Sequence, residues 1–223
     1  MSSKKPYKVI VLGLPKTGTS TLAVMLRLLG YKVTGPDGQY QINDDQYLRM
    51  RFNTCDGFQD FPWCFEWRRF FEDQRVKYII LKRDPESWWK SFLDSYGREK
   101  TRYLSYPFMK ISKEKENRDL FISYFNTYYQ EVETQAREYP NRFLTIDIKT
   151  FEWKELCNFL DEDLPRDILG RLVKKPHVNR EKAKVSKTVR YKMKNKLKKV
   201  MVQILGSERW DACILFLRKN GWV

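Results

Sequence analysis

Two glycines, Gly13 and Gly18, frame the stretch VLGLPKTGTSTL at residues 11–22. The frame is that of a nucleotide-phosphate loop, G-x-x-x-x-G-K-[ST], whose backbone N–H groups surround phosphate oxygens while its lysine reaches the terminal phosphates. Here Thr19 stands where that lysine belongs, and the lysine is Lys16, ahead of the second glycine. The anion cradle is kept and its cation is displaced. A second group, Arg83-Asp84-Pro85 with Ser91 further on, sets a guanidinium just ahead of a helix. His177 is the single histidine of the chain and the only side chain whose unperturbed pKa lies near neutrality, which makes it a candidate for proton transfer.

The elements that must hold these residues are legible in the pattern. YKVIVL (7–12) is a short apolar, β-rich run that ends at Gly13, and TSTLAVMLRLLG (19–30) has helical spacing and stops at Gly30. VKYIILK is a second buried-looking strand, followed by Asp84 and Pro85 as helix cap and first-turn residue and by ESWWKSFLDSYG as the helix. RFLTIDI (142–148) predicts a third strand, and FEWKELCNFLDE an amphipathic helix after it. Further helices are expected at about 43–53 and 117–138, and two in the tail from about 181 to 218. Strands alternating with helices predict an α/β fold of three layers, with a central, mainly parallel sheet flanked by helices. In such sheets ligands sit beyond the carboxyl ends of the strands, so the 13–20 loop and the 83–85 turn are expected at one edge, facing one ligand.

Composition narrows the partners without choosing among them. The 223 residues carry 43 Lys and Arg against 28 Asp and Glu, a net charge of +15, which favours an anionic partner. The excess is regional: between Lys174 and Lys199 the only acid is Glu181. Length and hydrophobic content suit one domain over 1–223, with 181–223 a basic helical extension of it. No run of eighteen apolar residues exists, and MSSKKPYKVIVLG passes from charge straight into a strand, so a soluble, cytoplasmic protein is expected. Cys55, Cys64, Cys157 and Cys213 are scattered and suggest neither a zinc site nor a disulfide framework.

Taken together, PKTGTST and KRDPESWWKS resemble the paired phosphate-binding motifs of the sulfotransferases that use 3′-phosphoadenosine 5′-phosphosulfate (PAPS). GFQDFPWCFEW (57–67), LTIDIKTFEWKELCNFLDEDLP (144–165) and KKPHVNR (174–180) are similar, in order and character, to segments of the short P-loop branch of that family. The resemblance runs from about residue 8 to residue 180, and its most specific parts are the R-D-P and P-H-V-N stretches.

The resemblance implies a P-loop fold, PAPS as donor, the bisphosphate PAP as product and no required metal. It implies that Pro15, Lys16, Thr17, Gly18, Thr19, Ser20 and Thr21 surround the 5′-phosphosulfate, and that Lys16 is catalytic, donating to the oxygen between phosphorus and sulfur where charge builds. It assigns Arg83 and Ser91 to the 3′-phosphate, a task that suits a forked guanidinium. The bland alternatives are a surface ion pair of Arg83 with Asp84 and a solvated loop lysine at position 16.

An acceptor that loses a proton needs a base. Asp60 matches the aspartate of the family's D-x-P tract and is the favoured candidate, although it can equally cap a helix beginning near Pro62; His177 is the other candidate, and with Asn179 it can instead shape the site. The sequence departs from the many cytosolic sulfotransferases that carry an adenine-stacking tryptophan where Thr21 stands. Trp88 and Trp89 are nearby in sequence, yet aromatic residues on an amphipathic helix are more often core.

The aromatic clusters WRRFF (67–71), YLSYPF (103–108) and YFNTYY (124–129) either line an acceptor pocket for a small-molecule or carbohydrate hydroxyl or pack the core. In the tail, Val189, Met193, Leu197, Val200, Met201 and Ile204 recur at helical spacing among lysines, which suits packing on the domain, contact with anionic membrane or nucleic acid, or closure of Lys182, Lys184, Lys187 or Arg190 over the cofactor. Two rival functions remain: a P-loop nucleotide-dependent kinase, weakened by Thr19 at the lysine position, and a non-enzymatic anion or nucleic-acid binder on the same fold.

Overall fold

Along the first strand the side chains divide cleanly between two cores. Val9 and Val11 enter one hydrophobic cluster while Ile10 and Leu12 enter another. A strand buried on both faces is what a parallel sheet between helix layers requires. The computed structural model describes residues 5–96, 117–176 and 207–219. Its sheet has five strands in the order β2-β3-β1-β4-β5: β1 Lys8–Leu12, β2 Val33–Thr34, β3 Gly57–Phe58, β4 Val76–Lys82 and β5 Phe143–Asp147. Every pair is parallel, with Val9 opposite Gly57 on one side and Lys77 on the other.

The helices in chain order are α1 Thr19–Leu28, α2 Asp45–Thr54, α3 Trp63–Glu66, α4 Pro85–Tyr96, α5 Arg118–Glu138, α6 Trp153–Leu160 and α7 Ser207–Lys219. One face of the sheet is covered by α2 to α5, whose Phe52, Trp63, Trp88, Phe92, Phe121 and Phe125 meet Ile10, Tyr78 and Ile80. The other is covered by α1 and α6, whose Leu22, Met25, Trp153 and Leu156 meet Val11, Ile79 and Leu81, with Leu215 of α7 packed beside them. The expected three-layer α/β architecture is the one observed.

Local chemistry explains where the helices start and stop. Asp84 accepts the Ser87 N–H at 2.8 Å and so caps α4, and Asp44 caps α2 through Tyr47 at 2.9 Å. At the end of α1 the Gly30 N–H turns back to Arg27 O and the Tyr31 N–H to Leu26 O, with Gly30 at φ 89°. The expected helix near 117–138 and the third strand fall within a residue or two of their observed bounds. Two of the five strands, β2 and β3, are only two residues long, too short to leave a periodic signature. Of the two tail helices expected, α7 is among the described residues and the rest of that stretch lies outside them.

Candidate functional site

Because all five strands run the same way, the segments that follow them emerge at one edge. The loop after β1, the turn after β3 that carries Asp60 and the turn after β4 that carries Arg83 therefore share that edge. From β1 the chain crosses toward β3 and β2, whereas beyond β4 it continues to β5. The gap between β1 and β4 is thus the point at which connections part to opposite sides, where doubly wound sheets bind ligands.

The loop is built for close approach. A Cβ on Gly13 would stand 2.6 Å from Thr17 Oγ1 and 2.9 Å from a methyl of Leu81. At Gly18, with φ of 111°, a Cβ would press Ile148 at 3.0 Å. Both glycines of the frame are therefore required by packing, and Gly18 also by its backbone conformation. Between them Lys16 adopts φ of 77°, a left-handed conformation that costs a β-carbon-bearing residue energy and that proteins retain mainly where function demands it.

Two side chains from the second motif fasten the loop. Trp88 Nε1 donates to Pro15 O at 2.8 Å, and a guanidinium N–H of Arg83 donates to Lys16 O. The peptide unit is planar and trans, so turning the Pro15 carbonyl toward α4 turns the Lys16 N–H away from it. Thr17 is folded inward: its N–H and its hydroxyl both reach Leu14 O, at 3.1 and 2.8 Å.

At the start of α1, Gly18 is the cap, no side chain caps the helix and no acidic residue occupies the first turn. The first-turn amides of a helix have no intrahelical partner, and with the macrodipole they favour an anion. Thr19 and Thr21 are buried and Ser20 is partly exposed. The Thr19 hydroxyl, expected beside the 5′ end of the donor, donates to Asp60 Oδ2 at 3.3 Å.

Asp60 is the third component. Its other oxygen accepts the Phe61 N–H at 2.8 Å, and its backbone is left-handed at φ 61°. The carboxylate does not reach into α3, whose cap position is Pro62 with no side-chain bond. Desolvation pushes the Asp60 carboxyl above the ordinary aspartate range, opposed only in part by the Phe61 N–H, the Thr19 hydroxyl and the positive charge of Lys16. The loop lysine and the aspartate thus sit within electrostatic reach, although Lys16 and Asp60 are far apart along the chain.

The second phosphate motif is half resolved into contacts. Arg83 lies against the loop rather than in an isolated pair with Asp84, which is occupied with capping α4. Ser91, partly buried, lies on α4 six residues beyond Pro85, about 9 Å of helix rise from the start of that helix. Trp88 and Trp89 are buried among Phe92, Phe121 and Phe125, so they are core residues. WRRFF and YFNTYY also contribute mainly core, through Trp67, Phe70, Phe125, Tyr128 and Tyr129. His177, Asn179, YLSYPF and the basic stretch at 182–199 lie outside the described residues.

Some structural partners of the site carried no signal of their own. Trp88 read as an ordinary core residue, and its bond to the loop follows from its place on α4. Tyr129, eleven residues into α5, donates to Leu81 O at 2.9 Å directly under the loop. Ile148 seals the back of Gly18 from beyond β5.

No helix among the described residues is long and apolar enough to cross a membrane. No curated protein matches the chain. A family model described as a sulfotransferase domain matches residues 8–123 and 101–184, so the match takes in all three converging segments and all five strands of the sheet. The glycine-framed loop, the Arg83 turn and the Asp60 turn all fall inside that match, and the chain belongs to the sulfotransferase domain family.

Proposed function

We propose that this protein takes a sulfuryl group from PAPS and passes it to a hydroxyl of a small molecule or carbohydrate. The observation that carries the reading is the meeting of three motifs, distant in sequence, around the N-terminus of α1: Arg83 on Lys16 O, Trp88 on Pro15 O and Asp60 on Thr19. The site fits such a donor. No side chain caps α1 and no acidic residue stands in its first turn, which leaves that helix start open to an anion.

When bound, PAPS supplies an activated sulfuryl group attached through oxygen to a nucleotide phosphate. The N-terminal amides of α1, with Ser20 and Thr21, hold the 5′ phosphate end, and the guanidinium of Arg83 with the hydroxyl of Ser91 holds the 3′-phosphate. Lys16 neutralises the oxygen that gains charge as its bond to sulfur breaks. Asp60 takes the proton from the acceptor hydroxyl as the new oxygen–sulfur bond forms, and desolvation suits it to that task by raising its basicity. Lys16 and Asp60 divide the two charge problems of the reaction between them, one at the leaving oxygen and one at the attacking oxygen.

The reading is tested by calorimetric titration with adenosine 3′,5′-bisphosphate against ADP with and without Mg²⁺, repeated on Arg83→Ala. Tight, metal-independent binding of the bisphosphate that is lost in the variant is the expected result. Preference for Mg²⁺-ADP would make the protein a nucleotide-dependent kinase instead, and indifference to the 3′-phosphate would remove the PAPS assignment.

A further inference from the structure

We propose that Asp37 is a positioning residue for Asp60: its main-chain N–H and its buried carboxylate hold the turn that carries Asp60, gripping it at Phe61 and at Trp63. The inference rests on the reading of Asp60 as the base. Asp60 occupies a left-handed conformation at φ 61° in a turn whose flanking strand, β3, is only two residues long. So short a ladder cannot by itself impose an unfavourable conformation, which persists only where surrounding contacts over-determine it.

Those contacts come from one segment, Thr34 to Asp37. On the near side of Asp60, the Gln59 N–H donates to Thr34 O at 3.1 Å and the Gln59 side-chain amide donates to Gly35 O. On the far side, the Asp37 N–H donates to Phe61 O at 2.8 Å and Trp63 Nε1 donates to Asp37 Oδ2 at 2.9 Å. The backbone is thus tied down on both sides of the reactive residue, and Asp37 makes both ties on the far side. Gly35, at φ 99°, lets the two segments touch; a Cβ there would lie 1.8 Å from Gln59 O.

The carboxylate of Asp37 is committed inside the protein. Its Oδ1 accepts the Thr34 hydroxyl at 2.7 Å and lies 3.6 Å from Arg51 Nη2, so both oxygens have partners away from the edge. A second strap runs in the opposite sense. Tyr40, whose N–H donates to Asp37 O at 3.1 Å, donates its hydroxyl to the buried Glu66 at 2.8 Å, and Arg69 holds the other Glu66 oxygen at 2.6 Å. The groups that face Asp60 itself are Lys16, the Thr19 hydroxyl, the Phe61 N–H and, packed beneath, Cys64. Asp37 is not among them, so its influence on Asp60 passes through the backbone of the turn.

The test follows the Asp60 carboxyl carbon by ¹³C NMR as pH is varied, with the signal assigned by its absence in Asp60→Asn. Asp37→Ala and Trp63→Phe each remove one end of the same tie, and Trp63→Phe serves where Asp37→Ala does not fold. In folded samples of either variant the Asp60 midpoint falls toward that of an ordinary aspartate as the turn opens to water. Affinity for adenosine 3′,5′-bisphosphate stays within about twofold. An Asp60 midpoint identical to wild type in both folded variants would overturn the proposal. Sulfuryl transfer by Asp60→Asn is measured separately: retained transfer would remove the base reading, whereas the titration decides whether Asp37 holds the turn.

Discussion

Trp88 Nε1 lies 2.8 Å from Pro15 O, so the helix of the second phosphate motif is hydrogen-bonded to the loop of the first. The indole is fully buried and packs in tilted contact with Phe125 and Phe92, ring centroids 4.7 and 5.2 Å away, which fixes the donor's position. Trp88→Phe keeps much of that packing and leaves the carbonyl without its partner. Stranding a buried acceptor costs about 1–3 kcal/mol. We expect a lower melting temperature and weaker binding of adenosine 3′,5′-bisphosphate, read by thermal unfolding and calorimetry. Unchanged affinity would mean that the loop holds its shape without α4.

Lys16→Met removes the loop cation while keeping the length of the side chain. If Lys16 stabilises the leaving oxygen, turnover falls about 10²- to 10³-fold, the usual effect of deleting a donor to developing charge. Bisphosphate affinity falls much less, because the ligand of that titration carries no sulfuryl group. A variant that loses binding and turnover in equal proportion would show instead that Lys16 serves ground-state binding.

Asp60→Asn is expected to abolish transfer and to stabilise the fold at neutral pH. The folded-state pKa of Asp60 is raised by desolvation, so its contribution to stability is fully present below the unfolded-state pKa and is lost as pH rises through the folded-state value. At neutral pH the buried charge is therefore a burden that asparagine relieves. Each kcal/mol gained appears as about 2–4 °C in a protein of this size. Melting curves of the two proteins should separate near pH 7.5 and draw together as pH is lowered into the carboxyl range; a gap that stays constant would mean that charge is not its source.

Gly18→Ala confronts both constraints at that position. A left-handed conformation costs an alanine about 1–2 kcal/mol, and its Cβ would press Ile148 at 3.0 Å. The variant should melt at least several degrees lower. Adding Ile148→Ala, which removes the two γ carbons that the new Cβ would meet at 3.0 Å, should recover most of the part due to contact when measured against Ile148→Ala alone, and leave the part due to backbone conformation. Full recovery in the double variant would show that crowding alone demands the glycine.

Much of the site was legible because its parts are local. The glycines of the loop, the Asp84 cap and the apolar periods of β1, α1, β4 and α4 act within a few residues of themselves, and each appeared where its pattern placed it. Residue spacing also identified the edge of the sheet at which Lys16 and Arg83 had to lie. The direction of individual side chains was not legible. The Thr19 hydroxyl donates to Asp60, a pairing across the fold that no local pattern announced, and the two oxygens of Asp60 face Phe61 and Thr19, so its carboxylate does not cap α3.

By itself, then, the chain's sequence determined the longer elements, their order and the glycine frame of the loop, since helix caps, strand burial and glycine conformation depend on neighbours along the chain. The tertiary structure alone decided that β3 lies beside β1, that the 34–37 segment closes on the Asp60 turn and that α4 hydrogen-bonds to Pro15. Those contacts join residues tens of positions apart. They arise from the order in which crossovers set the strands side by side, an order settled by burying both faces of the sheet at once, which no local pattern encodes.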